Sequence, residues 1–234
     1  MKKIVSWTQT YGEERILNIK LLQYDTIGNY IRNKCDYIIF SFHNCPENIF
    51  NESSDILSNL YEHSKLILIK YDNISYLRCY QNIMKKVSEL GCTDILQIQD
   101  DQHGINSREN LNKLSYIDNI IEIYKSNKNI EYLNIFSNEG LPKKNLVPCK
   151  TIKYNNIEMY RYDSRDFKKS DKNVYSWNDG TYIVDLKFVI YLFNLVEKYN
   201  QNNNNSHNNV WFCEIFLKQL FDNNKFYRWG TNKI

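Results

Sequence analysis

The sequence predicts an α/β fold with a mostly parallel central sheet flanked by helices. Two observations indicate this class. In residues 3–99, short apolar runs of strand type alternate with amphipathic segments of helical period, and strands that alternate with helices form parallel sheets. Beyond this region the order of strands and helices becomes less regular. We therefore expect a Rossmann-like front half and a mixed back half.

The front half is predicted to contain four strands and three helices. The strands are short runs rich in Ile, Leu, Val or aromatic residues, and they lie at 3–8, 36–42, 65–71 and 94–99. The helices show apolar residues at helical spacing, and they lie at 13–31, 53–62 and 75–91. Serine is expected to cap the second helix, and Gly91 to end the third.

The back half gives a weaker pattern. It contains predicted helices near 107–126, at 188–199 and at 210–221, and predicted strands at 130–137 and 181–186. Residues 138–175 are expected to be irregular, with a weak strand signal at 157–162. Neither a linker nor an internal repeat interrupts the chain, so residues 1–234 are predicted to form one domain.

Composition excludes several classes of protein. The chain is 42% hydrophobic and carries a net charge of +3 with nearly balanced acids and bases, so it can bury a core and nothing points to nucleic-acid binding. Its six cysteines form no C-x-x-C pair, which favours reduced thiols in the cytoplasm. No signal peptide and no apolar run of about 18 residues is found, so no membrane span is expected.

Polar residues follow every predicted strand of the front half. Because ligands of parallel α/β sheets bind outside the carboxyl ends of the strands, these side chains are expected to converge on one site. They are Thr8 and Gln9, His43 and Asn44, Asp72 and Asn73, and Asp100 and Asp101.

The stretch DILQIQDDQHG at 94–104 places two carboxylates side by side where a buried strand ends. Adjacent like charges are stable together when a cation or strong donors lie between them, and carboxylate oxygens suit Mg²⁺ or Mn²⁺. Asp101 and Asp100 are therefore candidate metal ligands, and His103 could add a contact. The alternative is an acidic turn that ends the strand, with His103 simply exposed.

Three segments of the chain resemble the GT-A glycosyltransferases of the family 2 type, which use nucleotide-sugar donors and a D-x-D metal motif. The first is the opening strand and helix, IVSWTQTYGEERIL. The second is LRCYQNIMKKVSELGCTDILQIQDD, with Arg78 and Asn82 on its helix. The third is SWNDGTYIVDLKFV at 176–189, and Glu214 falls where the family often keeps its catalytic base. The resemblance implies a nucleotide-donor half at 1–104 and an acceptor half at 105–234.

The resemblance also implies a reaction. A sugar would pass from a nucleoside diphosphate sugar, with a UDP-sugar favoured, to a hydroxyl of a glycan or another acceptor. Mn²⁺ or Mg²⁺ would be the cofactor, and the transfer is expected to invert the configuration of the sugar. The chain has Gln99-Asp100-Asp101 in place of D-x-D. We favour Asp101 as the metal ligand and Asp100 as a ribose contact; in the other register Asp100 shares the metal.

The nucleotide site is predicted to include Thr8, Asp72, Arg78 and Asn82 together with Asp100. Arg78 and Asn82 are one helical turn apart and share a face, so Arg78 could pair with a diphosphate oxygen or point to solvent. Asp72 could accept a hydrogen bond from the base or ribose, or be an ordinary turn residue.

An inverting transfer needs a base that takes the proton of the acceptor hydroxyl. Glu214 is the first candidate, because its aromatic and aliphatic neighbours in the sequence would raise its pKa; it could equally point outward from a core helix. Asp179 is the second candidate, but it lies in the turn-forming sequence W-N-D-G.

Two other functions remain open at the sequence level. A nucleotidyltransferase that makes a nucleotide sugar would share the fold, but the segment WTQTYGEER is acidic and has one glycine. A catalytically inactive binding module would explain the imperfect D-x-D. The sequence has no G-x-G-x-x-G, no P-loop, no G-x-S-x-G and no zinc spacing, which excludes the enzymes that depend on those motifs.

Overall fold

The fold is described from a computed structural model, which describes residues 2–11, 15–99, 108–135, 148–154, 157–167, 181–202, 217, 219–221, 223–224 and 226–231. The strands are β1 Ile4–Tyr11, β2 Tyr37–His43, β3 Leu66–Tyr71, β4 Asp94–Gln97, β5 Tyr132–Asn134, β6 Lys150–Tyr154, β7 Ile157–Asp163, β8 Tyr182–Asp185 and β9 Tyr227–Thr231. The α-helices are α1 Ile16–Leu21, α2 Thr26–Asn33, α3 Glu47–Leu60, α4 Tyr76–Glu89, α5 Arg108–Ser126, α6 Ser164–Phe167 and α7 Leu186–Asn202.

The nine described strands form one sheet in the order β3-β2-β1-β4-β8-β5-β9-β7-β6. The first four strands along the chain are mutually parallel. Strand β8 runs antiparallel between β4 and β5, and β7 runs antiparallel between β9 and β6. Since β9 is parallel to β5, only β8 and β7 run against the other described strands. The prediction of an α/β fold with a mostly parallel, helix-flanked sheet is confirmed.

Helices cover both faces of the parallel half of the sheet. On one face, α4 and α7 pack on Val5 and Trp7 of β1 and on neighbouring strands. On the other face, α2 and α5 pack on Ile4 and on β4, while α1 and α3 pack on Phe40 of β2. Burial on both faces explains why β2 reads as a continuous apolar run instead of an alternating one.

The predicted helix at 13–31 is wrong as one element, because the described chain breaks at Asp25. Helix α1 ends at Leu21, a 3-10 turn covers Leu22–Tyr24, and α2 starts at Thr26. The Asp25 carboxylate accepts a hydrogen bond from the Gly28 backbone N–H at 2.9 Å. An aspartate that bonds the backbone in this way caps a new helix and does not continue the old one.

The predicted helix at 53–62 begins too late. Helix α3 starts at Glu47, directly after Pro46, whose fixed φ suits a helix start. The serines that were expected to cap the helix lie inside it, and the Ser54 hydroxyl donates to the carbonyl of Phe50 at 2.7 Å. This local bond satisfies the hydroxyl within the helix.

The back half contains more strand than predicted. The weak strand signal at 157–162 corresponds to β7. Its antiparallel partner β6 lies in residues expected to be irregular, and β9 was not predicted. The predicted strand at 181–186 corresponds to β8, and the helix after it begins at Leu186, because the Asp185 carboxylate accepts from the backbone N–H of Phe188 at 2.9 Å. Most of the predicted helix at 210–221 lies outside the described residues.

The amino end of β4 is fixed by a buried polar cluster. The Asp94 carboxylate accepts hydrogen bonds from the Tyr124 hydroxyl and, at 2.6 Å, from the Thr93 hydroxyl. The Lys2 ammonium lies 3.6 Å from Asp94 and 3.6 Å from the centre of the Tyr124 ring. Burial lowers the pKa of Lys2, and burial together with Asp94 raises the pKa of Tyr124. The Tyr124 phenol is therefore a neutral donor.

None of the described helices has both the length and the apolar character needed to cross a bilayer.

Replacing Gly28 by alanine should destabilise the protein strongly. A Cβ atom there would lie 1.9 Å from a carboxylate oxygen of Asp25 and 2.8 Å from Nη1 of Arg32. These two side chains are fully buried and form an ion pair at 3.5 Å. Breaking a buried pair costs about 3 kcal/mol or more, so the free energy of unfolding in urea should fall by about that amount.

Gly91→Ala is the matched control. Gly91 has φ of +68° but no atom within 4 Å of an added Cβ, so only the left-handed backbone is strained, at a cost of about 1–2 kcal/mol. Equal losses in the two variants would show that the Asp25–Arg32 pair does not need the space beside Gly28.

Candidate functional site

The strand order places the switch point of the sheet at the carboxyl edge of the front half. The chain moves outward from β1 to β2 and β3, and then returns to place β4 on the other side of β1. This reversal between β1 and β4 is the position where parallel α/β sheets bind ligands. The four carboxyl ends lie side by side across three strand spacings, which is about 14 Å. The described topology therefore brings the four strand ends to one edge. Thr8 and Gln9 do not lie at the end of their strand as predicted, because β1 continues to Tyr11, and Asp100 and Asp101 lie outside the described residues.

The ends of β2 and β3 are tied together at this edge. Asn44 and Asn73 both adopt the left-handed backbone conformation, with φ of 48° and 55°. The backbone N–H of Asn73 donates to the Asn44 side-chain oxygen at 2.9 Å, and the N–H of Asn44 donates to the carbonyl of Tyr71 at 2.9 Å. Left-handed backbone in residues other than glycine costs energy and concentrates at functional sites.

A neutral histidine lies beneath this rim. His43, the last residue of β2, is buried, and its Nε2 lies 2.9 Å from the Sγ of Cys79 on α4. Its ring centre is 5.5 Å from that of Tyr71. Burial lowers the pKa of His43 to about 4 and raises the pKa of Cys79 to about 12. Near pH 7 the pair is therefore an imidazole and a thiol, without a net charge and without a reactive thiolate.

Thr8 lies on the opposite face of β1, under α2. Its side chain is fully buried, and its hydroxyl accepts a hydrogen bond from Nη2 of Arg32 at 3.4 Å. Two positions further along β1, the buried hydroxyl of Thr10 has no hydrogen-bond partner among the described residues. A contact of Thr8 with a nucleotide stays a prediction, and the structure adds Arg32 and Asp25 as the groups that hold this part of β1.

The remaining predicted nucleotide contacts lie at the same edge. Asp72 follows β3, is exposed, and lies 3.9 Å from the ammonium of Lys70. Arg78 is exposed in the first turn of α4, where its Nη1 donates to the side-chain oxygen of Gln81 at 3.3 Å. Asn82 is half-buried one turn further along. Both α4 residues thus follow the Ser75 cap, whose hydroxyl accepts from the Arg78 backbone N–H at 3.2 Å.

Five predicted site residues lie outside the described part of the chain. They are Asp100, Asp101, His103, Asp179 and Glu214. Within the described ranges, no group of three or more His, Cys, Asp or Glu side chains could hold a metal ion. The predicted metal ligands therefore stay a prediction; their chemistry, two carboxylates and an imidazole, suits Mn²⁺ or Mg²⁺.

The sequence reasoning missed a buried amide next to the predicted metal site. Gln97 is the last residue of β4, and its side chain is bonded to two tyrosine hydroxyls, those of Tyr80 and Tyr182. The signal was present in the sequence, because Gln97 interrupts an apolar run and Gln99 follows it two residues later. Residues two apart lie on the same face of a strand.

Comparison with known proteins identifies no family for this chain. No family model matches the sequence, and no curated protein is detectably similar to it. Among solved structures it is similar to a cytidylyltransferase from Leptospira borgpetersenii, with 10% identity, a TM-score of 0.48, and coverage of 95% of this chain and 72% of that one.

Two further solved structures are similar at the same level. One is 4-diphosphocytidyl-2C-methyl-D-erythritol synthase from Anaerococcus prevotii, with 14% identity, a TM-score of 0.49, and coverage of 98% and 88%. The other is UTP-bound UGPase from Acinetobacter baumannii, with 13% identity, a TM-score of 0.47, and coverage of 99% and 87%. Similarity this low does not identify a reaction.

His43 should make stability depend on pH. Its pKa in the folded protein is about 4, below the value of about 6.5 in an unfolded chain. Between these values the unfolded state binds more protons, so the free energy of unfolding should fall as pH drops from 7 to 4, by about 3 kcal/mol from this residue. Urea unfolding at several pH values measures this slope.

His43→Gln should reduce the slope, because glutamine does not titrate. The matched control is His63→Gln, at an exposed histidine between α3 and β3, which should leave the slope of the parent protein. A His43→Gln variant with the full parental slope would show that other groups cause the acid destabilisation.

Proposed function

We propose that this protein is a GT-A-like glycosyltransferase that transfers a sugar from a nucleoside diphosphate sugar to an acceptor hydroxyl, with Mn²⁺ or Mg²⁺. The observation that supports the proposal is the position of β4 at the switch point of the sheet. Strand β4 pairs in parallel with β1, with Gln97 opposite Trp7. The sequence after it continues to Asp100 and Asp101, the acidic pair predicted to hold the metal.

The described strand ends suit a nucleotide donor. A nucleoside presents hydroxyls and ring nitrogens, which need both donors and acceptors from the protein. Asp72 supplies an exposed carboxylate at the end of β3, and the amide-bearing ends of β2 and β3 are held rigid by the Asn44–Asn73 bond. On α4, the exposed Arg78 offers a guanidinium for phosphate oxygens.

The acidic pair would hold the metal. We assign the metal to Asp101, with Asp100 beside it on the ribose or sharing the metal, and with His103 as a further candidate ligand. A bound divalent cation would neutralise the charge that develops on the diphosphate leaving group. The described residues would position the nucleoside and leave the acceptor side to the back half of the chain.

The register of β8 supports Asp179 as a group on the acceptor side. Because β8 is antiparallel to β4 and Tyr182 is opposite Gln97, the amino end of β8 lies at the same edge as the carboxyl end of β4. Asp179 precedes this end by a few residues in the sequence. Glu214 remains the other candidate base, on the strength of the family resemblance.

Nucleotide binding should depend on metal and on Asp101. Thermal melting of the purified protein with UDP, GDP, CDP or dTDP, each with and without Mn²⁺, should show a higher midpoint for one nucleotide only when metal is present. At a hundredfold excess over Kd, binding stabilises the folded state by about 2.7 kcal/mol. Asp101→Ala should abolish the shift.

Asp55→Ala is the matched control, because Asp55 is an exposed aspartate on α3 with no assigned role. It should keep the full metal-dependent shift. The absence of any shift in the parent protein would contradict the proposed function and favour a binding module for another ligand.

Removal of the catalytic base should lower kcat, and the two candidate bases can be tested separately. If a base takes the acceptor proton, its loss lowers the rate by about 10²–10⁴-fold. We expect this fall in kcat for either Glu214→Gln or Asp179→Asn, with donor binding retained. The measurement is nucleoside diphosphate release from a UDP-sugar in the presence of acceptor.

The product distinguishes sugar transfer from nucleotide-sugar synthesis. Release of pyrophosphate from a nucleoside triphosphate and a sugar phosphate would identify a nucleotidyltransferase and contradict sugar transfer. Full activity in both base variants would place the base elsewhere in the chain.

A further inference from the structure

A buried amide joins three segments that carry predicted site residues. Gln97 ends β4, Tyr80 lies on α4, and Tyr182 begins β8. The Tyr182 hydroxyl donates to the Oε1 of Gln97. The Tyr80 hydroxyl lies 3.4 Å from that oxygen and 3.2 Å from the Nε2 of Gln97.

The three side chains are buried in an apolar cluster. Gln97 is 6% exposed, Tyr80 4% and Tyr182 1%, and both tyrosines belong to the main cluster under α4 and α7. A buried amide destabilises a protein unless its hydrogen bonds are made. A β-branched apolar residue would suit the end of a buried strand better, so the amide is a costly choice for packing alone.

Aromatic contacts fix the two hydroxyls in place. The Tyr80 ring meets Trp7 edge-on at 4.6 Å and stacks on Phe193 at 4.3 Å. The Tyr182 ring lies 5.1 Å from that of Tyr132, and Tyr182 is the cross-strand partner of Gln97. The amide is therefore held by donors that cannot easily move, and buried networks of this kind specify one arrangement.

Each member is close in sequence to a predicted functional residue. Gln97 precedes Asp100 by three residues, and Tyr182 follows Asp179 by three. Tyr80 lies between Arg78 and Asn82 on α4. The hydrogen bonds of Gln97 with the two tyrosines therefore hold three chain segments in place relative to one another. These segments lead to the predicted metal pair, the predicted diphosphate contacts and the predicted acceptor side.

We propose that Gln97, with the hydroxyls of Tyr80 and Tyr182, is a positioning residue of the active site. Gln97 would hold the end of β4, from which the chain continues to the acidic pair. Metal-dependent nucleotide binding would then depend on these three side chains, although they do not touch the nucleotide. This proposal rests on the proposed function. Groups that orient metal ligands from behind commonly change affinity by 10–100-fold when they are removed.

The test compares two tyrosine-to-phenylalanine variants at opposite ends of β4. Tyr182→Phe removes one buried hydroxyl from Gln97 at the carboxyl end. Tyr124→Phe removes one buried hydroxyl from Asp94 at the amino end. Both lose a hydroxyl from a buried hydrogen bond, so urea unfolding measures the stability cost of each, while titration calorimetry with UDP and Mn²⁺ measures binding.

We expect Tyr182→Phe to weaken Mn²⁺-dependent UDP binding by about tenfold or more, and Tyr124→Phe to stay within about twofold of the parent protein. If Tyr182→Phe does not fold, Tyr80→Phe takes its place, and we expect the same loss of nucleotide binding. GDP, CDP and dTDP replace UDP if one of them is the nucleotide that binds.

The outcomes separate the two proposals. If the parent protein binds a nucleotide with metal and Tyr182→Phe, or Tyr80→Phe in its place, binds it as tightly as Tyr124→Phe does, the positioning role is wrong and the proposed function stands. If the parent protein binds none of the four nucleotides, the proposed function fails and the positioning role fails with it.

Discussion

The fold depends on the parallel pairing of β1 with strands on both of its sides. A parallel neighbour can be reached only through a crossover connection, which is usually helical. Because β1 pairs in parallel with β2 on one side and with β4 on the other, helices connect these strands. The crossovers cover both faces and bring four carboxyl ends to one edge. The change of direction between β1 and β4 is the switch point at which parallel α/β sheets bind ligands, so the position of the candidate site follows from the strand order.

Buried polar groups fix the central strands at defined points. Arg32 and Asp25 hold β1 from the face under α2, where Arg32 also donates to Thr8. On the opposite face, Gln97 anchors the end of β4. Each group would destabilise the core if its partner were lost. These polar contacts therefore fix the positions of β1 and β4 more closely than apolar packing alone would. A fixed arrangement of strands suits a sheet whose edge binds a ligand.

The strands of the front half were predictable because each is a short apolar run that is followed by polar residues. The break at Asp25 was not, because the sequence on both sides keeps helical spacing and the break depends on one carboxylate turning back to Gly28. Strands β6 and β9 were missed for a different reason. Each is only five residues long, and β6 contains two lysines while β9 contains a glycine, which are residues that strands disfavour.

The candidate site divides in the same way. Sequence order was sufficient to place polar residues at the neighbouring ends of β2 and β3, since parallel strands share an edge. It misplaced Thr8, because β1 continues for three more residues to Tyr11. It was insufficient for the support beneath them, because Gln97, Tyr80 and Tyr182 meet only through a pairing of β4 with β8 that is remote in sequence. Strand β4 is thus held at its amino end through Asp94 and at its carboxyl end through Gln97. A strand of four residues that is hydrogen-bonded at both ends holds the start of the following chain in a defined position. The metal site proposed at Asp100 and Asp101 would require such support.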